Sequence, residues 1–528
     1  MEWFWWCLAA LLLIQWNGIR QKKERIRKAK EEFNPKVELG GARFHENGDL
    51  RRAGAFKGGG DALRVGWSPK GNRPIYYRGV GHALTVSCAR WGKGIFLLIP
   101  ALLSWANSVV CVDPKMELCA VTGRYRRRFG RVYVLDPFHM GDDMPDAVRG
   151  LRCVGFNPMA DLDVNSPGFH ADCDRIASAC VWDDGNGDHH WSISARLLVS
   201  GVIAALARHG DPKKDRNLKA VVRTISEGNV LEFCREVVSK TKDDDIRQKL
   251  GRFAVTAEPA VPGQSAGKPG AESSKEITDV IATAITQLGF ISGAIAGHLA
   301  DPDSLRWNEL REKRGTSVFI CVPLNRLDTH GDKYFRLVTE SLLASLLNTR
   351  GGRRSRILMV IDECAQLGPR MKSLENAMGM AAGACGLQLW LIYQSLSQLI
   401  GMWPHTWQNV IQNCGVMMWG RARDNETREQ ISKLGGITTV TSRSRGVSID
   451  LRTGEPMVND GVAQHTRPLI HPHEAGMLPP DEMYLFMEKL DGPVKAKLKP
   501  FFKCGFSGYG DNPYFQKRGG LTGWLFGK

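Results

Sequence analysis

The thirteen cysteines of this 528-residue chain are scattered singly, with no C-x-x-C pair and no zinc-type spacing. That excludes a disulfide scaffold and a thiolate metal site, and it points to buried thiols in a reducing compartment. No segment of about 20 to 50 residues recurs, so a solenoid or propeller is excluded as well. With 43% apolar and 24% charged residues, the composition is neither that of a disordered or collagen-like chain nor that of a polytopic membrane protein. What remains is length and positive charge. A chain this long exceeds one ordinary core, so about two or three domains are expected. Lys plus Arg number 71 against 55 Asp plus Glu, a formal net charge of +16. Such a surplus favours polyanionic partners, nucleic acid or anionic lipid.

One stretch departs from this globular pattern. Glu2 is followed by WFWWCLAALLLIQWNGI and then by RQKKERIRKAKEEF. As a helix, residues 3 to 19 reach about 26 Å at roughly 1.5 Å per residue, slightly short of a hydrocarbon core of roughly 30 Å. The expectation is a spanning anchor, with an interfacial helix or a misplaced start as alternatives. A cleaved leader is disfavoured because neither a basic start nor a small-residue cleavage site is present. Trp3, Trp5, Trp6 and Trp16 suit the two interfaces, and the basic run beginning at Arg20 belongs on the cytoplasmic side.

Gly and Pro dominate residues 40 to 80, which read as a connecting segment with short strands. Residues 83 to 160 then alternate ALTVS, a helix from Gly92, SVVCVD, a helix from Glu117, and VYVLD, the rhythm of a parallel sheet covered by helices. Residues 170 to 300 lack β-branched runs, and Trp191, Ala195, Leu198, Val202 and Ala205 fall at helical spacing before Gly210, so an all-helical insertion is expected. Within it, PAVPGQSAGKPGAESS (259–274) reads as a mobile loop. The α/β rhythm resumes with TSVFICVP, RILMVID, LQLWLI and VMMW.

Chemistry concentrates where strands end. ALTVS runs into Ser87-Cys88-Ala89-Arg90-Trp91-Gly92-Lys93-Gly94-Ile95 and an apolar helix, the context of a phosphate-binding loop. Backbone N–H groups over Ala89 to Ile95 would cradle phosphate, and Lys93 would reach its outer oxygens. Ser87 stands where the first Gly of that motif belongs, and Gly94 where a hydroxyl residue would ligate magnesium; alone, the match is weak. Five apolar residues precede Asp362 and Glu363, and a buried strand that ends in two carboxylates is costly unless they act there. Asp362 would hold magnesium through water and Glu363 would polarise the attacking water; the plain alternative is a helix cap. LQLWLIYQSLSQL delivers Gln394 to the same edge as a γ-phosphate sensor, against an amide that merely satisfies loop backbone. Asp113 and Asp136 also end strands, and Asp113-Pro-Lys-Met-Glu117 places mixed charge there.

Weaker signals have plainer readings. DDGNGDHH (183–190) lacks the glycine and glutamate of a calcium loop, and Gly267-Lys268 has no strand before it. Lys495, Lys497 and Lys499 would give a strand one basic face, and Arg443 and Arg445 lie in a turn-bounded basic segment. All five are candidates for DNA contact, with a solvated surface as the alternative.

Taken together, these blocks resemble the coupling-protein ATPases of type IV secretion and bacterial conjugation. The resemblance runs from GGARF (40–44) through GHALTVSCARWGKGIFLLIPALLSW, SVVCVDPKMEL, VYVLDPF, GFNP, SVFICVP, ILMVIDECAQLG, GLQLWLIYQSLSQL and NVIQNCG to RPLIHPHEAGMLPPDEMYLF. It implies an α/β RecA-like P-loop NTPase core interrupted by an all-α domain, an N-terminal membrane anchor helix, ATP and Mg2+ as cofactors, and a homo-hexamer at the bacterial inner membrane with the bulk of the chain cytoplasmic and the N-terminus outside. Its partners would be single-stranded DNA carrying a relaxase, or protein substrates, and the inner-membrane components of a type IV secretion channel. Trp91 is bulky where small residues are usual, which would crowd the phosphates. AAGACG (381–386) lacks the arginine that relatives place before LQLWLI, which leaves Arg370, Arg421 and Arg423 as arginine-finger candidates. Relatives usually carry two transmembrane helices, and this chain opens at what resembles the second.

The expected plan is an anchor over 1–19, a basic juxtamembrane segment and linker over 20–80, a nucleotide-binding domain over 81–160 and 301–503, the all-α domain over 161–300, and a tail over 504–528. Two rival functions are a substrate receptor that binds nucleotide but hydrolyses it poorly, and a double-stranded-DNA translocase with a related motor.

Overall fold

The computed structural model describes residues 20–21, 23–24, 40–182, 189–254, 269–326, 330–348, 356–367, 371–449, 456–506, 508–510 and 512. The expected anchor lies outside the described residues. The chain divides into two compact units, one of Phe44–Gln430 with Pro472–Lys528, the other of Ile431–His471 with the segment up to Arg43.

The larger unit is built on a twelve-stranded mixed sheet. In chain order its strands are β1 (Leu63–Trp67), β2 (Pro74–Tyr77), β3 (His82–Val86), β4 (Val109–Val112), β5 (Val132–Leu135), β6 (Arg152–Cys153), β7 (Ser317–Ile320), β8 (Ile357–Ile361), β9 (Leu387–Tyr393), β10 (Cys414–Trp419), β13 (Glu482–Met487) and β14 (Val494–Lys497). Across the sheet they run β2-β1-β14-β13-β10-β3-β9-β8-β4-β7-β5-β6. From β10 to β6 every pairing is parallel, and the four strands at the other end are antiparallel. The central parallel strands are buried along their whole length. That follows from helices covering both faces, and it is why their sequences are unbroken apolar runs.

Side-chain alternation sorts these residues between the two faces. Val109, Cys111, Leu358, Val360, Trp390 and Ile392 join a core with α1 (Gly94–Ser104) and α2 (Glu117–Arg126). Arg126, wholly buried at the end of α2, donates to the carbonyls of Leu102, Trp105 and Asn107 and to Ser317 Oγ at 2.6 to 2.9 Å. One guanidinium thus satisfies the open C-terminal carbonyls of α1 and ties them to β7.

Between β6 and β7 the described residues form helices and connecting loops with no strand, apart from one isolated bridge, Gly155 with Ser304. The helices include α3 (Phe169–Cys180), α4 (His189–His209), α5 (Val230–Lys240), α6 (Asp244–Ala254) and α7 (Pro269–Leu288). α4 lies against α3, α6 and α7. It comes so close to α6 that a Cβ on Gly201 would stand 2.5 Å from Leu250 Cδ2. Among the described residues α4 is the one helix long and apolar enough to cross a membrane, and it is two-thirds buried within the fold.

Two expectations need correction. The loop expected over 259–274 gives way to helix at Pro269, since a proline in the first turn forfeits no helical hydrogen bond. Its residues 259–268 lie outside the described set. Residues 44–80 are not merely a linker. β1 and β2 extend the sheet and bury Leu63, Val65, Ile75 and Tyr77 completely or nearly so.

The smaller unit is a long antiparallel hairpin, β11 (Ile437–Ile449) paired with β12 (Pro456–Pro468). The backbone of Gly41 bridges to Thr438.

His82 supplies a test of the sheet's interior. Its buried ring accepts from the Leu389 N–H on Nδ1 at 3.0 Å and donates from Nε2 to the Ala377 carbonyl at 3.3 Å, so the neutral tautomer is the one that fits. Burial pushes its pKa down from 6.5 to about 4. The stability this ring contributes is therefore complete above pH 6.5 and is lost as pH falls toward 4. The full swing is about 3 kcal/mol. Urea midpoints measured from pH 8 to pH 4 are expected to fall less steeply in His82→Gln than in the parent; parallel curves would contradict this assignment.

Candidate functional site

In a run of parallel strands all the C-terminal ends open on one edge. Along β3-β9-β8-β4, four adjacent strands, those ends carry in turn the Ser87–Gly94 loop, Gln394, Asp362 with Glu363, and Asp113. Backbone bonds lace the edge together: Ser87 N–H to the Tyr393 carbonyl at 3.2 Å, Asp362 N–H to the Val112 carbonyl at 3.3 Å, and Cys88 N–H to the Arg421 carbonyl at 3.1 Å. The described chain has four left-handed residues other than glycine, Arg90, Met116, His139 and Glu363. They follow β3, β4, β5 and β8, so the unfavourable backbone is gathered on this edge, where such strain is characteristic of functional sites.

The loop after β3 is shaped by two glycines. Gly92 is left-handed (φ +93°), and a Cβ there would come within 2.7 Å of the Phe96 ring. Gly420, just beyond β10, leaves room for the Trp91 indole, since a Cβ on it would lie 2.7 Å from that ring and 2.6 Å from Ser87 Cβ. Trp91 is 5% exposed, while Ala89 and Arg90, between the buried Cys88 and Trp91, face solvent. The bulky residue thus faces inward and supports the loop from beneath. No backbone carbonyl among the described residues takes the N–H groups of Ala89, Arg90, Gly92, Lys93 or Gly94. These donors, ahead of α1, are what an anion requires. Lys93 Nζ donates to the Ser87 carbonyl at 3.4 Å, and Ile95 begins the buried part of α1. The first turn of α1 is widened: Ile99 N–H bonds five residues back to the Gly94 carbonyl, directly before Pro100, which has no N–H to offer.

Gln394 Nε2 donates to Glu363 Oε2 at 2.7 Å, and the Gln394 N–H is held by Gln398 Oε1 at 2.8 Å. Ser395 caps the helix Leu396–Met402 that carries Gln398. Asp362 Oδ1 accepts from the Glu363 N–H at 3.1 Å, which fixes the turn that aims the glutamate. Burial, then repulsion from Glu363, raises the pKa of Asp362 to about 6, with Lys93 and Lys115 pulling the other way. Burial, with Asp362 and Glu117 adding repulsion, brings Asp113 to about 7 against the stabilising Cys119 N–H. Carboxylates whose charge is disfavoured in this way would be stabilised in their ionised form by a nearby cation. The donor set is all oxygen, which fits a hard divalent ion such as magnesium.

The remaining candidates are placed elsewhere. Asp136 spends both carboxylate oxygens on the N–H groups of Met140 and Gly141, at 3.0 and 2.8 Å. Arg421 donates to the Leu478 carbonyl at 2.7 Å, Arg423 is exposed, and Arg370 lies outside the described residues. Lys495 and Lys497 on β14 form ion pairs with Glu482 and Asp481 of the neighbouring strand and its approach. Lys499 sits 4.0 Å over the Trp67 ring. The basic face expected there is thus largely neutralised by its own neighbours. Arg443 and Arg445 fall within β11, opposite Val462 and Asp460. Sequence reasoning did not find Gly420 or Asn512. Gly420 could have been sought as a small residue next to a strand end; nothing local distinguishes Asn512, whose side chain donates to Glu117 Oε1.

Comparison with known proteins identifies the family and the fold. The family model for the type IV secretory system conjugative DNA transfer family matches residues 12–518. The chain is 28% identical over 434 residues to a conjugal transfer protein TraG of Escherichia coli, covering 78% of this chain and 65% of that one. It is 25% identical over 503 residues to protein VirD4 of Agrobacterium fabrum, covering 88% and 68%. It therefore spans roughly two-thirds of the length of these relatives. Among solved structures it superposes on the bacterial conjugative coupling protein TrwBdeltaN70 with a TM-score of 0.59 at 19% identity, covering 88% of this chain and 93% of that one. It likewise matches TrwB in complex with ADP and Mg2+ at a TM-score of 0.58 and 19% identity, covering 89% and 96%. The α/β fold with its mixed sheet is shared.

The contact between Trp91 and Gly420 yields a test. Gly420→Ala forces a Cβ into the indole, and overpacking of this kind costs about 1 to 3 kcal/mol. It is expected to lower the unfolding midpoint and to weaken polyphosphate binding together. Adding Trp91→Ala should recover part of both losses, and strict additivity of the two substitutions would contradict the packing described.

Proposed function

The chain belongs to the type IV secretory system conjugative DNA transfer family, and from that premise we propose that it is a membrane-anchored, ATP-hydrolysing coupling protein. It would recruit relaxase-bound single-stranded DNA, or protein substrates, and drive them toward a type IV secretion channel at the bacterial inner membrane. The observation that carries the reading is the meeting of Lys93, Asp362, Glu363 and Gln394 at the ends of neighbouring parallel strands, with Glu363 and Gln394 in direct hydrogen bond. The TrwB structures solved with ADPNP, and with ADP and Mg2+, and the names of the TraG relatives support the choice of ATP and of transfer.

In this reading the loop N–H groups from Ala89 to Ile95 hold the phosphates, and Lys93 leaves the Ser87 carbonyl to pair with the β and γ oxygens. Asp362 would hold magnesium. Magnesium, when bound, offsets the charge that accumulates on the phosphate oxygens. Glu363 orients the attacking water by accepting its hydrogen bond; the water oxygen bonds to the γ-phosphorus as the bond to the bridging oxygen breaks, and the water's proton passes to the released phosphate, giving ADP and inorganic phosphate. Gln394 holds Glu363 in line. Its tie through Gln398 to the helix Leu396–Met402 offers a path for reporting γ-phosphate loss. Arg421 is turned onto its own Leu478, which makes exposed Arg423 the better described candidate to reach a neighbouring subunit in a homo-hexamer.

The test is steady-state ATP hydrolysis by protein lacking residues 1–32, with and without DNA. Single-stranded DNA is expected to stimulate turnover more than duplex does. Lys93→Ala and Glu363→Gln are each expected to cut kcat about 100-fold or more. Parent turnover no faster than that of Glu363→Gln, with nucleotide still bound, would replace the motor by a receptor. Preferential stimulation by duplex would favour a double-stranded-DNA translocase.

A further inference from the structure

A phosphate-binding loop ordinarily follows its lysine with a serine or threonine whose hydroxyl reaches the nucleotide's magnesium. This chain has Gly94 there, and the proposed function leaves that oxygen unsupplied. The structure brings another oxygen to the place. A Cβ built on Gly94 would stand 3.5 Å from Glu117 Oε2 and 3.6 Å from Oε1. The glutamate side chain therefore ends beside the space that the missing hydroxyl residue would enter.

Three features aim it there. Glu117 opens α2 directly after Met116, a fully buried left-handed residue (φ 56°) that reverses the chain at the end of β4. Asp113 binds the Cys119 N–H at 2.8 Å and locks the first turn of α2. The C-terminal segment lies along the same helix: Phe506 meets Tyr125 edge-on at 6.0 Å, Gly510 N–H donates to the Val121 carbonyl at 2.8 Å, and Asn512, 8% exposed, donates to Glu117 Oε1. Gly510 is required at that approach, since a Cβ on it would meet the Ala120 carbonyl at 2.6 Å.

An acidic residue in the first turn of a helix is often only a complement to the helix dipole. For that purpose a solvated carboxylate suffices. Glu117 is instead held by an amide from the far end of the chain, with its carboxylate beside Gly94 of the loop. A carboxylate held at the mouth of the loop beside Gly94 has an oxygen where a hard divalent cation on the phosphates would need one.

We propose that Glu117 supplies, through Oε2, the oxygen that a serine or threonine at position 94 would otherwise provide to the nucleotide-bound divalent cation, and that Asn512 positions it. This rests on the nucleotide-binding reading above and deepens it. Glu117 would thus supply an oxygen to the cation held at this strand edge, and the C-terminal segment becomes part of the nucleotide site's support.

The experiment is a titration of the full-length protein with a fluorescent ADP analogue, in EDTA and over a magnesium series, with Mn2+ binding followed by electron paramagnetic resonance. Glu117→Gln keeps the side-chain shape and its contact with Asn512 but weakens the ligand. It is expected to raise the magnesium concentration needed for half-maximal tightening by about tenfold or more, and to weaken Mn2+ binding in parallel. Its affinity in EDTA should stay within about twofold of the parent's, an expectation that follows from confining the effect to the metal. A serine fits at 94 without a clash, because 3.5 Å is ordinary contact. Gly94→Ser in the Glu117→Gln background is therefore expected to restore most of the magnesium dependence. An unchanged magnesium titration in Glu117→Gln would overturn the inference while leaving nucleotide binding intact. So would an equal loss of affinity with and without metal, which marks a purely structural role. A parent protein that binds no nucleotide under either condition would bring down the functional reading and this inference with it.

Discussion

Parallel strands can be joined only by crossovers, and that constraint underlies every functional feature of this chain. Each crossover returns the chain to the opposite edge, so β3, β9, β8 and β4 release their C-terminal residues side by side although β3 and β4 lie far from β8 and β9 in sequence. One edge thereby collects a helix N-terminus with unpaired N–H groups, a lysine, several carboxylates and an amide. The same edge holds all four left-handed non-glycine residues described. The cost is concentrated there as well. Asp113 and Asp362 are buried among like charges, with pKa values raised to about 7 and about 6, a local conflict that the rest of the sheet must stabilise.

The surroundings show how that is done. Arg126 ties the end of α1 to β7 through buried hydrogen bonds, so the helix that begins at the Ser87–Gly94 loop is anchored at its other end. Trp91 and Gly420 form a complementary pair beneath the loop. A residue that seemed an obstacle to phosphate in the sequence is part of the floor in the structure. α2 plays a matching role on the far side, with its start fixed by Met116 and Asp113 and its length covered by the C-terminal segment.

The parallel half of the sheet was legible because strands buried on both faces are written as continuous apolar runs, and the runs ALTVS, SVVCVD, RILMVID and LQLWLIY each lead into a loop lysine, a carboxylate or an amide worth testing. Lys93, Asp362, Glu363 and Gln394 were accessible for that reason, and the contact between Glu363 and Gln394 is what the structure adds. The antiparallel end was not legible. β1 and β2 are short, flanked by Gly and Pro, and carry polar residues beside Leu63 and Ile75, so they resemble a linker until their partners are known. The lysines of β14 read as a basic face because Glu482 and Asp481, which neutralise Lys495 and Lys497, belong to a different strand. Proline and glycine around position 269 indicated a loop, whereas proline is equally at home in the first turn of a helix. Asn512 illustrates the limit most clearly: its partner Glu117 is nearly four hundred residues away, and no local pattern marks it.

The central claim is that this strand edge, and no other surface of the chain, receives nucleotide. Amide hydrogen exchange of the full-length protein, compared with and without a non-hydrolysable ATP analogue and Mg2+, addresses it most directly. The account predicts slowed exchange concentrated in residues 88–96, 113–119, 362–364 and 394–398, the segments that end or follow β3, β4, β8 and β9. Protection centred on the helices between β6 and β7, or on the β11–β12 hairpin, with these segments unchanged, would contradict it.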